Sequence, residues 1–229
     1  MASDVRPKGG REGQDPVERA APIRLSVRDQ VLRELRAAII NGSLAPGSVH
    51  SAPALALGYG VSATPVREAM QLLAQDGAVE ILPNRGFRIA ERTARDLREL
   101  AEVRALLEVP VVLGLARSLP SSRWLVLRPL ADATLAAAAG GDRAAYAESD
   151  RAFHRALLEL SGNVHLVSVA DELHRRAQWP VPQEVPRGRQ GALLADATEH
   201  RVLLEALIAG DVVTVEALAR EHFTGSAWG

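Results

Sequence analysis

The sequence predicts a mainly α protein in which a small helical module, closed by a β-hairpin, precedes an antiparallel all-helical bundle. Three observations carry that prediction. Between residues 24 and 92, three helical stretches are followed by two short strand signals. Beyond Thr93 the strand signal stops and only helical periodicity remains. The breaks between those later helices are short, and short connections force neighbours to pack antiparallel. Three helices and then a small hairpin is the layout of a winged helix-turn-helix.

The elements follow in order. Residues 1–23, rich in Gly, Pro and charge with almost nothing to bury, read as a disordered tail. From Ser26, Val27, Val31, Leu32, Leu35, Ala38 and Ile39 recur at spacings of three and four, and Asn41-Gly42 supplies a left-handed stop. Pro46-Gly47 makes a turn, and a short helix runs from about Ala52 to Tyr59. Ser62 is the expected N-cap of the third helix. Ala78–Leu82 and Phe87–Ala90 read as strands joined by Pro83-Asn84-Arg85-Gly86. Residues 93–229 then form the bundle, with helices at about 93–118, 123–139, 142–161, 164–178, 191–209 and 211–224, and a proline-rich loop at 180–188.

Composition sets outer limits. There are 27 basic and 28 acidic residues and no cysteine, which excludes disulfides, thiolate zinc sites and a cysteine nucleophile. Residues 1–92 carry 12 basic and 10 acidic side chains and residues 93–229 carry 15 and 18, so a DNA-binding face at the front is permitted but not established. No apolar run approaches the roughly 20 residues of a membrane span, and a soluble cytoplasmic protein is the default expectation.

On the third helix, steps of 100° place Val66, Ala69, Met70 and Leu73 on one stripe, facing a small core. The opposite face offers Thr64, Glu68, Gln71 and Gln75 with Arg67 on its shoulder, groups suited to base edges and phosphates in a major groove. Arg85 and Arg88 stand in or beside the hairpin tip, where they can reach a minor groove or phosphates. The plainer alternative is an ordinary solvated helix face.

In the bundle, three histidines interrupt or flank apolar stripes. His200 falls within Leu193, Ala197, Leu203, Leu204 and Leu207, and His222 within Val212, Val215, Leu218 and Ala219. The two lie almost equally far from the Gly210-Asp211 turn, hence at one height in an antiparallel hairpin. Asp150 and His154, one turn apart, sit on the shoulder of a stripe formed by Tyr146, Phe153, Ala156, Leu157 and Leu160. Three nitrogens and a carboxylate suit a divalent metal, zinc first, with nickel, cobalt, manganese or iron as alternatives. His165 and His174 match no such pattern and read as incidental. Arg104 lies within the apolar stripe Leu97, Leu100, Ala101, Leu107, Val111 and Leu115, so it needs an anion: either Glu108 one turn on, or a carboxylate ligand beside the metal.

These residues carry a resemblance. Asn41-Gly42 through Pro46-Gly47, followed by GVSATPVREAMQLLAQDGAVEILPNRGFRIA from Gly60 to Ala90, resembles the DNA-binding domain of the GntR family of bacterial transcription regulators. The resemblance implies that Ser62, Thr64, Arg67 and Gly86 lie at the DNA; Gln71 and Arg85 complete the candidate set. Ala63 stands where the family usually has Arg, and Ala52-Pro53 where it usually has an acidic residue, often followed by Arg. A well-made bond from such an Arg to a base is worth about 1–3 kcal/mol, so affinity or operator choice should differ.

The bundle is similar to the FadR-type branch of that family, with its helical FCD domain, through ELAEVRALLE (Glu99–Glu108), DRAFHRALLELSGN (Asp150–Asn163) and EHRVLLEALIAGDVVTVEALAREH (Glu199–His222). The likeness implies that Asp150, His154, His200 and His222 hold the metal and that small organic acids bind nearby, with Arg104 and Asn163 as candidate contacts. The expectation is therefore a homodimeric, ligand-responsive regulator on a palindromic double-stranded operator, not an enzyme. Release from DNA on binding a small carboxylate is the expected response, and no membrane is involved. Two rivals stand beside it. A metal-dependent hydrolase would show turnover with added metals. A helical interaction module would lack salt-dependent duplex binding.

Overall fold

A computed structural model describes residues 25–180 and 190–225, and the tail to residue 23 and most of the 180–188 loop lie outside the described residues. The N-terminal part consists of α1 (Val27–Ile40), β1 (Val49–His50), α2 (Ala52–Tyr59), α3 (Ala63–Gln75), β2 (Val79–Leu82) and β3 (Gly86–Ile89). Ser26 caps α1 by accepting the Asp29 N–H at 3.1 Å, and Gly42, at φ 80°, follows its end. Pro53 sits in the first turn of α2, where a missing N–H is harmless. Val66, Ala69, Met70 and Leu73, the predicted inner stripe of α3, are fully buried against Val31, Leu35 and Ile39 of α1.

The sheet has a strand that sequence periodicity does not reveal. Its order is β1-β3-β2, all antiparallel, with Val49 opposite Arg88 and His50 opposite Phe87. Two residues are too short to show a period of two. Gly86 holds this sheet together: at φ 105° a Cβ would lie 2.3 Å from the His50 carbonyl oxygen, part of a rigid backbone. Gly86→Ala is therefore expected to displace the wing from β1, with a strain of about 1–3 kcal/mol. A lowered urea midpoint together with weakened duplex binding would check this; an unchanged midpoint would refute it.

The C-terminal part contains α4 (Ala94–Ser118), a 3-10 segment (Ser121–Leu127), α5 (Arg128–Gly140), α6 (Arg143–Glu159), α7 (Val164–Ala177), α8 (Gln190–Ala209) and α9 (Val212–Gly225). Thr93 and Asp96 form a reciprocal capping box at the start of α4. The helix expected at 123–139 is divided because Pro129 has no N–H to donate; the chain passes through the 3-10 segment and restarts with proline in the first turn. The buried face of α4 also differs from the expected stripe. Arg104, Glu108, Val109, Val112, Leu113 and Leu115 are buried, while Leu97, Leu100, Ala101, Leu107 and Val111 are half-buried. The reason is that α4 packs against α7 on one side and α9 on another, so its inner surface is wider than a single stripe.

Among the described residues, two large apolar cores stand beside a small cluster of Ala138, Tyr146 and Ala197. One gathers Val31, Leu35, Met70, Leu73 and Ile89 of the winged part; the other gathers Trp124, Phe153, Leu157, Leu204 and Val215 of the bundle. Trp179, just beyond α7, belongs to the first core although its helix belongs to the second. Among the described residues, no helix is long and apolar enough to cross a membrane.

Candidate DNA-reading face and metal centre

On α3, Ser62, Thr64, Arg67, Glu68, Gln71 and Gln75 are all exposed, on the side opposite the buried stripe. Ser62 has the extended backbone of an N-cap, yet its hydroxyl makes no capping bond, leaving it available at the positive end of the helix dipole. Arg85 is exposed at the hairpin tip beside Asn84, which takes a left-handed φ of 59°. Gly86 is half-buried and packed on β1, so the structure gives it a steric role in carrying that tip. Arg88 pairs across the hairpin with Glu80 at 3.3 Å.

Arg67→Ala removes a long cation from the exposed face without touching the core. It is expected to weaken duplex binding and, if the guanidinium meets a phosphate, to reduce the salt slope by about 1. Anisotropy titrations across a salt series would check it, and wild-type affinity at every salt concentration would contradict it.

The bundle brings its predicted ligands together. His154 on α6 and His200 on α8 place Nε2 atoms 3.2 Å apart, and Nε2 of His222 on α9 lies 3.1 Å from that of His154. All three rings are buried. Asp150 Oδ1 stands 3.3 Å from His200 Nε2 and 3.7 Å from His154 Nε2. Metal–nitrogen bonds of about 2.0–2.1 Å in a tetrahedron imply edges of about 3.3 Å between ligand atoms, close to these separations.

The outer ring atoms favour lone pairs directed inward. His222 Nδ1 lies 2.9 Å from Glu199 Oε2, and His154 Nδ1 lies 3.4 Å from Glu108 Oε2. Each carboxylate attracts a proton to Nδ1, which leaves Nε2 as an acceptor. Two acceptors facing each other at 3.1 Å repel unless a proton or a cation lies between them. Burial, the main cause, lowers the pKa of His154 to about 4 and that of His200 well below its ordinary value. These two rings are thus neutral near pH 7 and need lose no proton to bind a metal. These donors fit a divalent cation.

His174, read as incidental from the sequence, belongs to the same cluster. Its Nε2 lies 2.7 Å from Asp150 Oδ2, and the residue is buried. Burial raises the Asp150 pKa, but His174, His154 and His200 together outweigh it and hold the carboxyl well below its usual range. A signal existed: Val167, Ala170 and His174 share one face of α7 at helical spacing. Glu199, which orients His222, gives no such signal because it reads as a solvated acid, and Glu108 is signalled only as a partner for Arg104, not as the group that orients His154.

Arg104 and Glu108 resolve the α4 anomaly. The Arg104 Nε donates to Glu108 Oε1 at 2.9 Å, both side chains being buried. Burial pushes the Glu108 pKa up, yet Arg104 and His154 together lower it to about 2. Arg104 also lines a cavity of about 210 Å³ with Asp150, His154, His174, Asp196 and His222. Burial raises the Asp196 pKa to about 6. Asn163 does not join this pocket. Its side-chain oxygen accepts the Leu166 N–H at 3.1 Å as the N-cap of α7, and the residue lines a different cavity.

A winged helix-turn-helix with an exposed polar reading face, joined to a helical domain with a polar internal pocket, defines a DNA-binding regulator with a ligand-binding domain. The chain belongs to the gntR family of bacterial regulatory proteins: residues 27–89 match that family and residues 99–225 match the FCD domain. It is 31% identical over 211 residues to an HTH-type transcriptional regulator in an unstable DNA locus of Streptomyces ambofaciens, covering 85% of this chain and 81% of that one. It is 29% identical over 204 residues to the "Probable D-xylose utilization operon transcriptional repressor" of Paenarthrobacter nicotinovorans, covering 86% and 83%. The solved structure of McbR/YncC from E. coli superposes with a TM-score of 0.70 at 25% identity, covering 88% of this chain and 95% of that one. The protein is thus a bacterial transcription regulator and not an enzyme.

Proposed function

We propose that the chain is a homodimeric repressor whose grip on a palindromic operator is set by a small carboxylate bound at a divalent metal, zinc first among the candidates. The observation that carries this reading is the inward convergence of three imidazole Nε2 atoms beside Asp150, with Arg104 on the same cavity. Asp150, His154, His200 and His222 would hold the ion. When bound, the ion supplies a Lewis-acidic anchor for carboxylate oxygens. Arg104 offers a guanidinium edge to the same anion while keeping its pair with Glu108.

Ser62, Thr64, Arg67, Gln71 and Arg85 would read the operator. One helix reads only a few base pairs, so a two-fold dimer is needed for specificity. A second copy has a fitting surface on α4, where Val103 and Leu106 are 47% and 79% exposed and Pro110 continues the same face.

Elemental analysis of purified protein, followed by thermal-shift measurement with di- and tricarboxylates with and without chelator, tests the reading. Bound metal and a carboxylate-dependent rise in Tm that the chelator abolishes are expected. Metal-free protein that takes up no zinc and responds to carboxylates equally with chelator present would defeat it.

A further inference from the structure

The metal pocket reaches the seam between the two domains. Its wall includes Ile40, the last residue of α1 in the DNA-reading domain. A second cavity, of about 650 Å³, opens between α1 and the α6–α7 pair, with Leu32 and Arg36 on one side and Arg151 and Trp179 on the other. Ile40, Ala147 and Gln178 line both cavities and form a partition between them.

The end of α7 connects this partition to both domains. Gln178 Nε2 donates to the Ala147 carbonyl at 2.6 Å and to Asp150 Oδ2 at 3.3 Å. The next residue, Trp179, is only 4% exposed and packs in the core of the winged domain. Arg175, one turn earlier, places Nε 3.4 Å from Oδ1 of Asp76, the C-cap of α3, and Arg36 Nη2 donates to the other oxygen of that carboxylate at 2.5 Å. His174 meets Asp150 from the same helix. One helix therefore touches the metal site through His174 and Gln178 and the recognition helix and its core through Arg175 and Trp179.

We propose that α7 is the transmitting element between the metal site and the DNA reader, with Trp179 and Arg175 as its positioning residues. This rests on the metal-site reading above. Asp150 offers Oδ1 towards His154 and His200 and Oδ2 towards His174 and Gln178. A cation that drew Oδ1 closer to His154, 3.7 Å away, would move the carboxylate, and the two bonds to Oδ2 would have to follow or break. Either outcome shifts or releases the end of α7, and a packed indole cannot absorb a shift without disturbing its neighbours. Because the site then has different affinities in the two domain arrangements, metal loading biases DNA binding.

The test uses the full chain, zinc ions alone as the probe, and a duplex selected from a random pool by metal-free protein. Zinc affinity is read by chelator competition and duplex affinity by fluorescence anisotropy. In the wild type, zinc should change the duplex Kd by about tenfold or more, within the usual range of allosteric coupling. Trp179→Leu combined with Arg175→Gln should leave zinc affinity unchanged and reduce that response to about twofold or less, and Trp179→Phe, which keeps a packed ring, should retain most of it. If the double variant folds poorly, Arg175→Gln alone decides, since it alters the ion pairs to Asp76 and Asp171 and not the apolar core; a clear loss of response is expected. A wild-type response in the arginine variant and the double variant overturns the proposal, as does zinc binding to the wild type with no change in duplex affinity. Absence of zinc binding to the wild type overturns the metal-site reading itself, and shows in the chelator competition before any DNA is added.

Discussion

His200→Ala is expected to leave purified protein with little or no zinc and to abolish any carboxylate-dependent rise in Tm. His200 is 1% exposed, its Nε2 lies 3.2 Å from that of His154 and 3.3 Å from Asp150 Oδ1, and its ring stacks on Phe153 with centroids 4.5 Å apart. The ring is thus held in place by packing and has no freedom to be replaced by a neighbour. Loss of a residue that merely supports a ligand costs metal affinity about 10–100-fold, and loss of the ligand itself should exceed that. The truncation also leaves a cavity against Phe153, so metal-free stability should fall as well, which makes elemental analysis the decisive readout. His165→Ala, at an exposed position of α7, is the control and should change neither metal content nor Tm. Full zinc occupancy in His200→Ala would remove the basis for the site.

Glu108→Ala should destabilise the bundle by about 3–5 kcal/mol, the usual consequence of removing one partner from a buried ion pair. The Glu108 side chain is 1% exposed and serves two buried groups at once, accepting from Arg104 Nε at 2.9 Å and facing His154 Nδ1 at 3.4 Å. Without it the Arg104 charge loses its carboxylate and His154 loses the group that fixes its Nδ1 proton. Glu108→Gln keeps an acceptor and the shape and should lose less. Replacing both members, Arg104→Met with Glu108→Leu, should recover much of the stability, because two apolar groups need no pairing. Urea unfolding of the four proteins checks the order; a single variant as stable as the wild type would show that the pair contributes nothing. A loss of several kcal/mol is a large fraction of the roughly 5–15 kcal/mol that holds a typical domain folded.

Much of the reading face is legible in the sequence because it depends on local periodicity. Val66, Ala69, Met70 and Leu73 define the inside of α3 by spacing alone, and the exposed groups follow by opposition. The level placement of His200 and His222 is likewise legible, since it needs only helix rise and a short turn. Where a feature depends on contacts from elsewhere in the chain, it is not. The strand β1 is defined by pairing with β3, and the place of His174 by Asp150 on another helix. Pro129 is a local signal of the opposite kind, dividing a helix that apolar periodicity alone would join. The N-cap bond from the Leu166 N–H to Asn163 is likewise a local motif.

By itself, the sequence determined the order and type of the helices, the polar face of α3 and the presence of polar groups on inward stripes, because helix periodicity and turn chemistry act over a few residues. The tertiary structure decided which charges meet: that Arg104 faces Glu108, that two carboxylates orient the imidazoles, and that α7 touches both the candidate metal ligands and the winged domain. Those contacts join residues from α3, α4, α6, α7, α8 and α9, many of them tens of positions apart, and their distances depend on how whole helices pack.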